Sequence, residues 1–336
     1  MKKLIIQIPC LNEAQTLPAT LADLPKSIAG VDVVEVLVID DGSRDGTTDV
    51  ARACGVDHIV RLRRNKGLAA AFQAGIDACV KAGADFIVNT DADNQYSGQD
   101  IPKLLAPLLR GEADIVIGDR NIAELRHMSW RKRQLQALGS WVVRQVSNTS
   151  VPDTTSGFRA YTREAALRMT IVSEFSYTLE SIIQAGKKRM AIAHVPVSVN
   201  SRTRPSRLFD SVFSYIKRSS ATIVRIYTMY EPLKVFTYVG LLISFVGVAG
   251  LLRFFYYYLY GLASRHIASL VAAGVIVTLG FVVLVIGLLA DAISGNRKLL
   301  EDLLYRVRAL ESPRREPDVD HAVLTRTADR VDRWEH

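Results

Sequence analysis

Along the first 120 positions of this chain, apolar residues fall into short runs separated by stretches of helical spacing. Leu4-Ile5-Ile6-Gln7-Ile8 is a β-branched run of the kind buried on both faces of a parallel sheet. Val33 to Ile39, His58 to Leu62, Phe86 to Thr90 and Ala113 to Ile117 repeat that pattern. Between them, Thr16 to Ala29, Thr47 to Cys54, Gly67 to Ala82 and Ile101 to Leu109 carry the period of helices. Strands alternating with helices predict an α/β fold, Rossmann-like, with a mostly parallel sheet over residues 1–206. Such sheets hold ligands at the carboxyl ends of their strands. Asn12-Glu13, Asp40-Asp41 and Asp91-Ala92-Asp93 stand at those ends, so three polar clusters are expected along one edge.

Beyond residue 206 the pattern changes. From Leu208 to Tyr230, Leu208, Val212, Tyr215, Ile216, Ile223, Ile226 and Tyr230 share one helical face, opposite Asp210, Lys217, Arg218 and Arg225. This predicts amphipathic helices lying at a membrane interface over 207–231, with Ser219-Ser220 as a candidate break. Val235 to Leu252 and Ile267 to Ala290 contain no charged residue. Each is close to the roughly 20 residues that cross a hydrocarbon core, and the short linker makes a transmembrane hairpin over 232–292, with spans at about 233–258 and 267–290. The aromatic run from Phe254 fits an interfacial belt. Residues 293–336 read as a tail, helical from Lys298 to Leu310 and disordered after Pro313.

Charge then sets the orientation. The net charge is +8, which by itself admits nucleic acid, an anionic membrane or an acidic substrate as partner. The cations decide by position: Arg202 to Arg225 precede the first span, Arg297-Lys298 follow the second, and no reading helix or RNA-binding motif is present. The expectation is an integral membrane protein with catalytic domain and C-terminus in the cytoplasm and no nucleic-acid partner. The apolar run after Met1-Lys2-Lys3 ends at Pro9, too short for a signal peptide, which agrees. Cys10, Cys54 and Cys79 have no paired spacing and read as small buried residues of a reducing compartment.

The candidate chemistry centres on Asp91 and Asp93, alternate positions on an extended chain leaving an apolar strand. Two carboxylates aimed at one point repel, and a bridging Mg²⁺ or Mn²⁺ relieves this while holding a diphosphate. Gln95 offers a third oxygen at the next alternate position. Asp-x-Asp pairs also occur in caps and turns, and Asp40 to Thr47, with Gly42 and Gly46, reads equally as a ligand loop or as a turn before a helix.

Taken in order, Pro9 to Glu13, Asp40 to Thr47, Asn65-Lys66-Gly67, Asp91 to Gln95 and Ser156-Gly157-Phe158-Arg159 resemble the family 2 glycosyltransferases of GT-A fold, over roughly the first two hundred residues. Within that family the chain is most similar to dolichyl- and polyprenyl-phosphate sugar synthases. The resemblance implies a hexosyltransferase taking a nucleotide sugar, GDP-mannose or UDP-glucose, to a polyprenyl or dolichyl phosphate with inversion. It implies that Pro9, Leu11, Glu13, Ile39, Asp41, Lys66 and Ala92 hold the nucleotide sugar and that Asp91, Asp93 and Gln95 hold the metal. It further implies that Arg120, Arg131, Arg202 and Arg207 bind phosphates, with Asp91, Asp93 and Arg120 as the catalytic set. An ionised lipid phosphate attacks without a general base, so Glu180 is expected to orient rather than react. A transferase acting on a sugar hydroxyl, and a non-catalytic membrane scaffold, are the competing readings; self-association into a homo-oligomer stays open.

Overall fold

The computed structural model describes residues 1–120, 139, 141–173, 177–200, 212–262 and 266–312. Seven strands form one sheet in the order β3-β2-β1-β4-β6-β5-β7. They are β1 (Lys3–Cys10), β2 (Val33–Asp40), β3 (His58–Arg61), β4 (Phe86–Asn89), β5 (Ile115–Asp119), β6 (Arg159–Thr162) and β7 (Ile192–Pro196). All neighbours are parallel except β6, which runs antiparallel to both β4 and β5.

Helices cover both faces, as a parallel sheet requires. On one face lie α1 (Leu17–Asp23), α2 (Thr47–Ala53) and α4 (Ile101–Leu109), packed on Leu4, Ile6, Ile8 and Val38. On the other lie α3 (Leu68–Lys81), α5 (Arg163–Arg168) and α6 (Tyr177–Lys187), packed on Ile5, Leu37, Ile39 and Ile87. Consecutive residues of β1 therefore serve opposite cores, which is why its run is apolar without alternation. α1 is shorter than its apolar spacing predicts because Leu24 precedes Pro25 and is extended, with ψ 138°. The residue before proline is pushed out of the helical region. Cys10 and Cys79 are buried, but Cys54 is exposed, against expectation, because it closes α2 at the surface.

After the sheet come α7 (Val212–Tyr230), α8 (Pro232–Leu259) and α9 (Ile267–Glu311). α7 runs unbroken through Ser219-Ser220. Its stripe, expected to meet a bilayer, packs in its second half on the catalytic core instead: Ile226 is buried there, with Ile223 and Tyr230 against the same cluster. α8 and α9 are each long and apolar enough to cross a membrane. They meet along small residues seven apart, Gly240 and Gly247 on α8 and Ala273, Gly280 and Gly287 on α9, all buried. A Cβ on Gly247 would lie 2.6 Å from Val277, and one on Gly280 would collide with Ser244. Small residues at the contact let two backbones approach closely.

Where the sequence suggests a span followed by a separate short helix, α9 is one helix of 45 residues, about 67 Å long. Its last five turns leave the hairpin and lie along α5 and α6. Glu301 bridges Lys188 and Arg297, Tyr305 donates to Glu164, and Arg308 donates to the carbonyls of Leu167 and Met169 and pairs with Asp77 at 3.2 Å. Lys187 pairs with Glu231 at the α7–α8 elbow. The residues after 312, expected to be disordered, lie outside the described residues.

Candidate active site

The edge where β1, β2 and β4 end gathers the polar clusters. Cys10 is in register with Asp40, and Gln7 with Asn89. The loops after β1 and β2 are laced together: Asn12 N–H donates to Ser43, Arg44 N–H to the Asn12 side chain, Glu13 N–H to Thr47 and Ala14 N–H to Asp45. Asn12 takes a left-handed φ of 54°, which asparagine tolerates better than most residues. Asp41 accepts the N–H groups of Lys66 (2.7 Å) and Gly67 (2.9 Å). Burial pushes its carboxyl above the usual range despite those two donors. Gly42 allows that approach, since a Cβ there would sit 2.7 Å from the Arg64 carbonyl carbon. At this edge Leu11 and Glu13 are half-buried, Asp41 is buried and Lys66 is exposed. The Ile39 side chain, expected at the nucleotide site, is instead fully buried in the core on the α3 face.

Asp91 follows β4. No hydrogen bond or ion pair reaches its carboxylate from any described residue, although it is only partly exposed. Burial, and then the charge of Asp93, raise its pKa to about 7. Asp93 accepts the Gln95 N–H at 3.1 Å, closing a turn in which Asn94 is left-handed (φ 55°). Ala92 is buried and its carbonyl accepts from Thr20. A carboxylate that accepts no hydrogen bond from the described residues, beside a second one and with an amide side chain next in line, is a set of hard oxygen donors suited to Mg²⁺ or Mn²⁺.

Beneath Asp91 lies a polar network that sequence reasoning missed. Gln7 donates to Asn89, and Asn89 donates to the Gly157 carbonyl (2.8 Å) and the Tyr177 hydroxyl (2.9 Å). Tyr177 stacks on Phe72 at 3.9 Å. Gly157 faces Asp91, its N–H donating to the Tyr96 hydroxyl. Arg159 is fully buried and donates to the carbonyls of Thr154, Ser156 and Thr178 and to the Ser181 hydroxyl. The available signal was a glutamine and an asparagine inside otherwise apolar strands.

Arg120 leaves β5 and grips Asp153 with two parallel hydrogen bonds, Nε–Oδ2 2.7 Å and Nη2–Oδ1 3.0 Å, and donates to Thr155. Burial opposes ionisation of Asp153, but the Arg120 guanidinium outweighs it and holds the carboxyl below the usual range. Arg120 is thus anchored beside Asp91, whose charge it offsets. Glu180 accepts the N–H groups of Val172 and Ser173 and the Gln184 amide, an orienting role as expected. Arg131, Arg202 and Arg207 lie outside the described residues, as do Arg126, Lys132 and Arg133. The described chain stops at Asn200, two residues before Arg202.

Residues 5–169 match Glycosyl transferase family 2. An uncharacterised glycosyltransferase of Mycobacterium tuberculosis, Rv0539, is 34% identical over 199 residues, 59% of this chain and 85% of that one. The chain belongs to glycosyl transferase family 2. This glycosyltransferase is also 28% identical, over 58% of its length and 82% of the other, to the undecaprenyl-phosphate mannosyltransferase of Micrococcus luteus. Among solved structures, glucosyl-3-phosphoglycerate synthase of Mycobacterium tuberculosis in complex with Mn²⁺, UDP-glucose and phosphoglyceric acid superposes with TM-score 0.53 at 21% identity, covering 68% of this chain and 79% of that one. That likeness speaks to the fold, a GT-A catalytic domain with its one reversed strand.

Proposed function

We propose that this glycosyltransferase moves a hexose from a nucleotide sugar of the GDP-mannose or UDP-glucose type to a polyprenyl or dolichyl phosphate, at the cytoplasmic face of the membrane and with inversion. The observation that carries the reading is the Asp91 carboxylate, without a donor among the described residues and beside Asp93, in a domain fastened to two helices of membrane length. A relative named for undecaprenyl phosphate as acceptor supports the acceptor class.

The laced loops after β1 and β2 take the nucleoside, with Pro9, Leu11, Glu13 and Asp41 as its walls and Lys66 at the rim. Asp91, Asp93 and Gln95 hold a divalent cation, Mg²⁺ or Mn²⁺, which when bound supplies charge neutralisation for the leaving diphosphate. Arg120 adds a fixed positive charge on the same side, kept in place by Asp153. A lipid phosphate is ionised at neutral pH, so its oxygen attacks the anomeric carbon directly and no side chain need remove a proton. Catalysis then rests on positioning and on preorganised charge. Arg131, Arg202 and Arg207 complete the phosphate contacts, and the cations flanking the hairpin support a cytoplasmic catalytic domain and C-terminus.

The test is a donor panel with radiolabelled GDP-mannose and UDP-glucose against undecaprenyl and dolichyl phosphate in nanodiscs. Label in a mild-acid-labile lipid is expected from one donor, with Asp93→Asn inactive but folded. Label passing only into oligosaccharide, with none in polyprenyl phosphate, refutes the acceptor assignment.

A further inference from the structure

Past the hairpin, α9 has one face in use and another that no described residue covers. On the used face Ser294 donates to the Met229 carbonyl of α7 and Arg297 to the Tyr230 hydroxyl. Further along it, Glu301 bridges Lys188 and Arg297, and Ser312 at the helix end accepts from Arg163 through its carbonyl. Turned about 140° away at 100° per residue, Ile293, Leu299, Leu300, Leu303, Val307 and Leu310 are each between 48% and 81% exposed. A third face carries the exposed charges of Lys298, Asp302 and Arg306.

A contiguous apolar stripe between charged faces marks an interaction site, and its spacing says of which kind. Ile293, Leu300 and Val307 are seven apart, and Asn296, Leu303 and Leu310 follow each of them by three. That is the a/d seam of a coiled coil, with β-branched residues at two a positions and leucine at two d positions, a combination that favours two parallel strands. Lipid covers such a face inside the bilayer but cannot follow it outward. α9 is unbroken, so these turns continue the axis of the span. Val307 lies 17 residues past Ala290, about 25 Å along that axis. Even at a tilt of about 40° it stands about 20 Å from the hydrocarbon, beyond a headgroup layer of about 5–8 Å.

Two copies inserted the same way in one membrane present α9 parallel and at equal height, about a two-fold axis along the membrane normal. In that register each seam residue meets its own mate, and Asn296, the one polar seam position, meets an amide that can both donate and accept. Arg306, at the g position, comes beside the partner's Glu311 at e, so opposite charges flank the seam. Three heptads are marginal for free helices, but confinement to one bilayer raises the effective concentration.

We infer that the cytoplasmic half of α9 is a dimerisation seam whose occupant is a second copy of this chain, paired as a parallel two-stranded coiled coil. It rests on the reading of α8 and α9 as membrane-spanning, and on neither donor nor acceptor. Because α9 is docked on α5 and α6 by its used face, the pairing holds the two catalytic domains on opposite sides of the axis.

The experiment is cysteine cross-linking of the full-length chain in native membranes, with Cys54→Ser removing the exposed native thiol. Leu300→Cys, Leu303→Cys and Val307→Cys are oxidised with copper phenanthroline, and Lys298→Cys and Asp302→Cys on the polar face are the controls. A disulfide needs Cα atoms within about 7 Å, so covalent dimer is expected from the seam positions and at least about tenfold less from the controls. Leu303→Glu added to Val307→Cys removes one buried leucine from each copy and weakens association about 100-fold, so that cross-link is lost while the catalytic domain keeps its trypsin resistance. Equal cross-linking at seam and control positions, or none at the seam, overturns the inference. In the second case a water-soluble maleimide tells a bare face, whose thiols react, from one shielded by lipid or by the chain's own residues after 312. If alkaline carbonate strips the chain from membranes, the membrane-spanning reading fails and the parallel pairing with it.

Discussion

Gly157→Ala is the most direct test of how the site is built. Gly157 does not have positive φ, so alanine brings no backbone strain. The added Cβ would stand 3.1 Å from each Asp91 carboxylate oxygen and 2.9 Å from the Tyr177 hydroxyl. Tyr177 has little room to retreat, being stacked on Phe72 and hydrogen-bonded by Asn89. The freer partner is Asp91, whose carboxylate accepts no hydrogen bond from the described residues, so it shifts by a few tenths of an ångström. A misplacement of 1 Å at reacting groups costs on the order of 100-fold; scaled to this shift, kcat falls roughly three- to tenfold and half-saturation by Mn²⁺ rises by a similar factor. Overpacking of about 1 kcal/mol lowers Tm by roughly 2–4 °C in a protein of this size. Steady-state transfer across a Mn²⁺ titration reads the first effect and thermal melting the second. Gly295→Ala, where nothing lies within 4 Å of the added carbon, is the control. Wild-type kcat and Mn²⁺ dependence in Gly157→Ala would show that Asp91 is not seated against Gly157 during turnover.

Asp91 also predicts a pH dependence. Its folded pKa, about 7, lies above the unfolded value of about 3.9, so the stability it contributes is present at low pH and lost as pH rises toward 7. In metal-free protein, the Tm advantage of Asp91→Asn over wild type should widen between pH 4 and 7, and Mn²⁺ should raise the melting temperature of wild type alone; a constant gap refutes the burial argument. Gly280→Leu forces a side chain into Ser244 across the hairpin; a loss of roughly 1–3 kcal/mol is expected, read as earlier melting in detergent, with donor binding unchanged. Arg308→Ala removes the contacts to Leu167, Met169 and Asp77, so proteolytic cleavage between 298 and 312 should speed up severalfold, and an unchanged cleavage rate would mean that α9 is not docked there in solution.

The front half of the sheet was legible because β1, β2 and β4 are largely buried on both faces and therefore mostly apolar, and because their parallel register brings every strand end to one edge. The acidic clusters could be placed from that alone. β6 and β7 were not legible. β6 begins with a buried arginine, and β7 carries polar and apolar residues in no strict alternation, half-exposed at the edge of the sheet. β6 is held by what lies around it, paired with β4 on one side and β5 on the other, and such tertiary support overrides local pattern. The same holds for α7. Its stripe predicts a helix with one apolar face but cannot say whether lipid or protein covers that face, and α6 covers the part at Ile226.

The site divides along the same line. Asp91, Asp93 and Gln95 could be proposed from spacing, but the segment is a turn with Asn94 left-handed and not the extended chain that the spacing suggested. What surrounds Asp91 came from residues well separated from it along the chain, Arg120 being 29 positions away and Gly157 66. Gly157 leaves room, Tyr177 walls the side, and Arg120 offsets charge only because Asp153 anchors it. Gln7 and Asn89, the two polar residues in otherwise apolar strands, are the exception that a sequence can reveal. A buried amide needs a partner, and in neighbouring strands of matched register each supplies the other. A buried polar residue near the carboxyl end of a parallel strand is therefore a pointer to what the next loop must hold still. Here Asn89 stands two residues before Asp91, and its amide fixes the Gly157 carbonyl and the Tyr177 hydroxyl, on the side of Gly157 that faces that carboxylate.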